Sequence, residues 1–253
     1  RKNPVLTDVS IALVFPDVYD VGMSHLGLKI LYNILNSQDW LVAERAFSPW
    51  PDLEKKLRVQ KIPATSLESN RPLSSFDIVG FSLQHELSYT NVLNILDLAG
   101  IPFRASLRTD VSPLIIAGGP ACFNPEPVAE VFDLMVIGDG EEATLKVCEG
   151  VREAKKEKMR SKNELLSRLY PIKGIYVPSC FSIHYNPEGS IKTIEPLISD
   201  YPKVEKAILQ DIDKYPYPVR QIVPFTELVH DRAVIEICRG CTRGCRFCQA
   251  GMI

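Results

Sequence analysis

Two hydrophobic periods alternate along the chain from residue 9 to residue 137. Residues 10–15 form a near-continuous apolar run of strand length, followed by a turn rich in Pro16, Asp17, Asp20 and Gly22. Beyond it Leu28, Leu31, Ile34 and Leu35 recur at helical spacing, with Ser24 placed to cap that helix and His25 inside its first turn. Residues 41–47 make a second strand candidate, and residues 50–59 a short helix after Pro49 and Pro51. Residues 77–83 are the clearest strand. They lead through Gln84, His85 and Glu86 into a helix carrying Val92, Leu93, Ile95, Leu96 and Leu98, which Gly100 stops. Residues 114–117 and 134–137 complete the series, and each runs into glycine. Gly118-Gly119-Pro120 follows the fourth strand, and Gly138-Asp139-Gly140-Glu141-Glu142 the fifth.

Apolar strands separated by amphipathic helices imply a parallel sheet covered on both faces. The fold class expected is therefore α/β, a flavodoxin-like (Rossmann-type) five-stranded parallel sheet in the order 2-1-3-4-5. Ligands of such sheets bind outside the carboxyl ends of the strands, which here are the loops 17–23, 82–88, 118–123 and 138–142.

The second half reads differently. In residues 149–168, Arg152, Lys155, Lys156, Lys158, Arg160 and Lys162 interleave with Glu153 and Glu157, a mixture of signs suited to a solvated helix and linker. Residues 176–185 and 190–194 flank the turn sequence Asn186-Pro187-Glu188-Gly189 and predict a β-hairpin. Pro216, Pro218 and Pro224 make residues 209–224 an extended connector, and residues 233–237 form a short β-branched strand candidate. Three segments result: an α/β domain over 1–150, a connector over 151–232, and a further domain that begins at 233–253.

Composition narrows the class. The 253 residues are 45% hydrophobic and 24% charged, enough for one or two cores, and a net charge of -2 gives no general nucleic-acid footprint. No apolar run reaches the length of a membrane span.

Four of the seven cysteines fall between Cys238 and Cys248. Cys241, Cys245 and Cys248 are spaced C-x-x-x-C-x-x-C on one loop with Gly240 and Gly244, so three soft thiolates can converge on one metal centre. A [4Fe–4S] cube takes four cysteines when all its irons are protein-bound; three leave one iron open to a small molecule. A zinc knot with Cys238 as fourth ligand is the competing structural reading, but no second ligand pair follows it. Cys122, Cys148 and Cys180 are scattered in apolar surroundings and read as buried free thiols, which fits a reducing cytoplasm.

The cysteine spacing, with Phe247 just before the last cysteine, resembles the signature of the radical S-adenosylmethionine (SAM) superfamily. The resemblance implies a cluster on Cys241, Cys245 and Cys248, SAM chelated at the open iron, cleavage of SAM to a 5′-deoxyadenosyl radical, and a reductant such as flavodoxin or ferredoxin. It adds Phe247 to the cofactor-binding residues and makes residues 233–237 the first strand of a barrel, so that the chain reads as a fragment ending just after the cluster loop.

The preceding domain resembles the cobalamin-binding domains found before such barrels. Ser82, the Gly118–Gly119 pair, Gly138 and Gly140 fall in the corresponding loops. One departure concerns cobalt. Domains that ligate it from below carry D-x-H-x-x-G, whereas this chain has Asp20 and His25 at another spacing, so His25 reads either as a ligand or as a capping or packing histidine. A vestigial pocket is the alternative to bound cobalamin. As a whole the chain is similar to an uncharacterised bacterial group of radical SAM proteins, with substrate and reaction type open. Two other readings are a flavodoxin-like ligand- or redox-sensing module with an electron-transfer cluster, and an RNA-modifying methylthiotransferase-like enzyme.

Overall fold

The computed structural model describes residue 2 and residues 6–159, 161–230 and 232–253; Arg160 of the charged stretch lies outside the described residues. Strands β1 (Val9–Phe15), β2 (Leu41–Phe47), β3 (Ile78–Ser82), β4 (Leu114–Gly118) and β5 (Leu134–Val136) pair in parallel in the order β2-β1-β3-β4-β5, as the hydrophobic pattern predicts. All seven residues of β1 are buried, because a central parallel strand is covered on both faces. Ser10 donates from its N–H and its hydroxyl to Asp77 Oδ2 (2.8 and 2.9 Å), which ties the start of β1 to the residue before β3.

A sixth strand corrects the five-stranded expectation. β6 (Ile175–Tyr176) joins the sheet antiparallel to β5. The strand anticipated over residues 176–185 is thus split, because Pro178 opens a short 3₁₀ turn to Cys180 and redirects the chain. The remainder pairs as a hairpin, β7 (Phe181–Tyr185) with β8 (Ile191–Pro196), and every residue of β8 is exposed.

Of the helices, α1 (Tyr19–Gly22) is a single turn and α2 (Leu26–Asn36) buries Leu28, Ile30, Ile34 and Leu35. The cap of α2 is His25, not Ser24: the imidazole Nδ1 accepts from the Leu28 N–H (3.2 Å), while the Ser24 hydroxyl turns back to the Asp20 carbonyl. Helix α3 (Pro51–Gln60) buries no residue. It is stitched to α4 (Tyr89–Leu98) by Arg58, which reaches Asn94 and Asp97.

Helix α5 (Gly140–Lys156) runs through residue 150 and, with α6 (Lys162–Leu169), forms more than a solvated linker. Val147, Cys148, Val151 and Ala154 of α5 and Leu166 and Leu169 of α6 are buried. The core continues past the sheet to Tyr201 and Ala207. Residues 233–237 pair with no strand, so the expected barrel strand is not formed among the described residues. None of the described helices is long and apolar enough to cross a membrane.

Candidate functional site

Register puts Ser82 of β3 beside Gly118 of β4, and Gly118 beside Val136 of β5, so the carboxyl ends of three strands open at one level. Above them lies a cavity of about 890 Å³ whose wall includes Ser82, Gly118, Gly119, Gly138 and Gly140. Five residues from three strand-end segments thus meet at one site. The volume is that of a cofactor pocket.

The glycines divide into two kinds. Gly119 has φ +108 and ψ 176, a region open to glycine alone, and a Cβ there would sit 2.5 Å from the Leu83 carbonyl oxygen. Gly138 has φ +106, and a Cβ would overlap the Ala207 carbonyl oxygen. These two are demanded by the backbone itself. At Gly118 a Cβ would meet only Val136 Cβ at 3.7 Å, and at Gly140 only Leu31 and Thr144 at 3.6 Å, both ordinary contacts. Nothing in the protein requires those two to be bare, and both line the cavity. Their openness is what a bulky ligand seated on the strand ends would need.

His25 also borders the cavity, half-buried against the Phe15 ring at 5.2 Å. Burial lowers its pKa below the usual histidine value, against the opposing effect of a hydrogen bond with Gln84. Its Nδ1 is committed to the α2 cap. His85 is exposed and is not part of the wall.

The opposite wall comes from far along the chain. Ala207 exchanges backbone hydrogen bonds with the β5 exit: its N–H donates to the Ile137 carbonyl, and its carbonyl accepts from the Asp139 N–H (both 2.9 Å). Lys206, Gln210 and Asp211 thereby join the cavity, from a stretch the sequence reading treated as a passive connector. Ala207 carries no sequence signal for this, since backbone pairing needs only a small side chain.

Residues 236–240 close the wall. Arg239 Nη1 donates to Asp139 Oδ1 (3.0 Å) and Glu141 Oε2 (3.1 Å), Nη2 donates to Glu141 Oε1, and Nε donates to Glu236 Oε1 (2.8 Å). Cys238 is among the residues of this wall and is exposed.

Just beyond, Cys241, Cys245 and Cys248 are free and exposed on a loop turned by Gly240 (φ +77) and Gly244 (φ +63), and Phe247 is exposed beside them. The Cys248 N–H donates to the Cys245 carbonyl (3.1 Å). As a donor set three free thiols suit a soft metal centre. Among the described residues, however, no three His, Cys, Asp or Glu side chains are gathered closely enough to hold a metal ion. Cys122, Cys148 and Cys180 are buried in the core.

An open α/β domain with a cavity at the carboxyl edge of its sheet thus precedes a loop of three exposed cysteines. The chain belongs to the family of radical SAM proteins, N-terminal, which matches residues 27–178. It is also similar to an uncharacterized protein of Methanocaldococcus jannaschii, 25% identical over 248 residues; the match covers 96% of this chain and 41% of that protein. The chain therefore spans about two-fifths of the length of that relative. Among solved structures it is similar to TsrM, a radical S-adenosylmethionine methyltransferase from Kitasatospora setae determined with tryptophan substrate and a SAM analog. That likeness is 16% identical with a TM-score of 0.39, over 71% of this chain and 29% of that one.

Proposed function

We propose that this chain is the amino-terminal part of a radical SAM enzyme, with Cys241, Cys245 and Cys248 as ligands of a [4Fe–4S] cluster and the α/β cavity as a cobalamin site. The observation that carries the reading is the junction: the cysteine loop follows directly on residues that wall a cofactor-sized cavity. Held by Cys241, Cys245 and Cys248, such a cluster would supply the reducing chemistry for SAM cleavage. The protein's own part is to present the thiolates, gather the loop around the metal as ligation couples to folding, and hold the cavity beside it. Phe247 stands with the thiolates as a SAM contact, while Gly118 and Gly140 leave the strand ends bare for the corrin. The site would take cobalamin without a histidine ligand, because Asp20 and His25 depart from the D-x-H-x-x-G spacing of the domains that supply one. A flavodoxin or ferredoxin supplies the electron, in a cytoplasm reducing enough to keep all seven cysteines free.

Anaerobic reconstitution of the full-length protein tests the cluster assignment. Cys245→Ala should lose iron and the visible cluster absorbance, and Cys238→Ala should retain both. A second reading, an electron-transfer cluster with Cys238 as fourth ligand, is favoured by the position of Cys238 on the cavity wall. Loss of iron in Cys238→Ala would select that reading.

A further inference from the structure

Glu141 sits in the first turn of α5 and is only 5% exposed. A carboxylate so placed needs a cation, and the one that meets it comes from 98 residues away. Arg239 engages it with both terminal nitrogens, the fork-on-fork geometry open to arginine and denied to lysine. The rest of the guanidinium is also used. Asp139 takes Nη1, and Glu236 takes Nε and Nη2. Asp139 in turn spends its other oxygen on the Leu209 N–H (2.8 Å). Three segments are thereby locked together: the β5–α5 turn at the cavity floor, the strap at Leu209, and the loop that carries the cysteines.

An exposed ion pair of this kind would fix little. Here the carboxylate at the centre is buried, and three carboxylates converge on one guanidinium. Without Arg239 they would repel one another at the cavity wall. Arg239 also lies two residues before Cys241, too near for slack in the chain to absorb a displacement.

We propose that Arg239 is a positioning residue, with Glu141 as its seat, that sets the cluster loop in fixed register with the cofactor cavity. The proposal rests on the reading of cluster and cobalamin given above. Arg239 touches neither cofactor in this role. It determines how far apart they stand.

The test uses the full-length protein and the variants Arg239→Ala, Arg239→Lys and Glu141→Gln. In the apo protein, amide hydrogen exchange over residues 236–241 should rise about tenfold in Arg239→Ala, and Arg239→Ala/Glu141→Gln should add little to that, since the two groups form one contact. In protein loaded with iron and cobalamin and then reduced, electron paramagnetic resonance should show spin coupling between cob(II)alamin and the reduced cluster. Arg239→Ala should keep its iron and cobalt content but lose that coupling, and Arg239→Lys should restore part of it. Parent protein that takes up no cobalamin or no iron would overturn the functional reading itself. If Arg239→Ala loads both and keeps parental exchange and parental coupling, the functional reading stands and the positioning role is refuted.

Discussion

Gly118 and Gly119 are adjacent, yet alanine at the two positions should have opposite consequences. At Gly119 the backbone sits at φ +108 and ψ 176, and an added Cβ would stand 2.5 Å from the Leu83 oxygen, an atom already accepting the Ala121 N–H at 3.1 Å. The strained conformation alone costs about 1–3 kcal/mol. Relief of the clash must move the Leu83 carbonyl, and the N–H of the same residue donates to the Gly118 carbonyl at 2.7 Å, so a total of about 2–4 kcal/mol is expected. In a chain of this size that lowers the melting temperature by roughly 4–16 °C. At Gly118 the nearest atom is Val136 Cβ at 3.7 Å, and Gly118→Ala should stay within about 0.5 kcal/mol of the parent. Its methyl projects where the ligand is proposed to lie, so affinity for hydroxocobalamin should fall there at unchanged stability. Urea unfolding followed by circular dichroism gives the stabilities, and visible absorbance the binding. A Gly119→Ala protein as stable as the parent, or a Gly118→Ala protein as destabilised as Gly119→Ala, would refute the division of the glycines.

Three further outcomes are expected. His25→Ala should cost roughly 1 kcal/mol of stability by removing the α2 cap while leaving hydroxocobalamin affinity within about threefold of the parent, which titration would check; no bond to cobalt is lost. Because burial depresses the His25 pKa in the fold, the unfolded chain binds more protons as pH falls through the unfolded histidine range. The stability tied to the neutral ring is present above that range and lost below it. His25→Asn, which keeps a capping side chain, should flatten this part of the urea midpoint between pH 7.5 and pH 5.5, about a unit either side of the free histidine value. In apo protein at pH 8, a value below the free cysteine pKa by about half a unit, the four exposed thiols should react rapidly with a disulfide reagent and the three buried ones only after unfolding. Burial pushes Cys122 up to about 12 and raises Cys148 and Cys180 as well. A fast fifth equivalent would contradict the packing.

The sheet was legible because fully buried parallel strands write themselves as continuous apolar runs, as Ile11–Val14 and Ile78–Phe81 do in their pairing. The strand order was that of the flavodoxin-like arrangement expected for five strands alternating with helices. The edge strand Ile175–Tyr176 was not legible: two residues hold no period, and their structure is decided by β5, about forty residues earlier in the chain. The cap of α2 was misassigned to Ser24 because serine is the commoner capping residue, and only the turn at Gly22 brings the His25 ring over the Leu28 N–H. The glycine pair announced a loop in which a ligand could come close. That a Cβ would strike the Leu83 carbonyl at Gly119 but make only an ordinary contact with Val136 at Gly118 is a distinction of about an ångström that composition does not carry.

The backbone pairing of Ala207 at the β5 exit has a consequence for how the connector can vary. The chain leaves that exit at Ala207 and returns to it at Arg239, so the residues between form an arch with both feet on one turn. The entropy of closing an arch grows only with the logarithm of its length; doubling it costs about 0.6 kcal/mol. Residues could be added or removed between the points where the arch is pinned (Pro216 on Asn33, Phe225 on Tyr19, Thr226 on Asp20, His230 on Ser24), and only the height of the arch would change. The span between its feet would not. Related chains are thus free to drift in connector length while the cavity and the cysteine loop keep their separation, because that separation is measured across the turn and not along the chain.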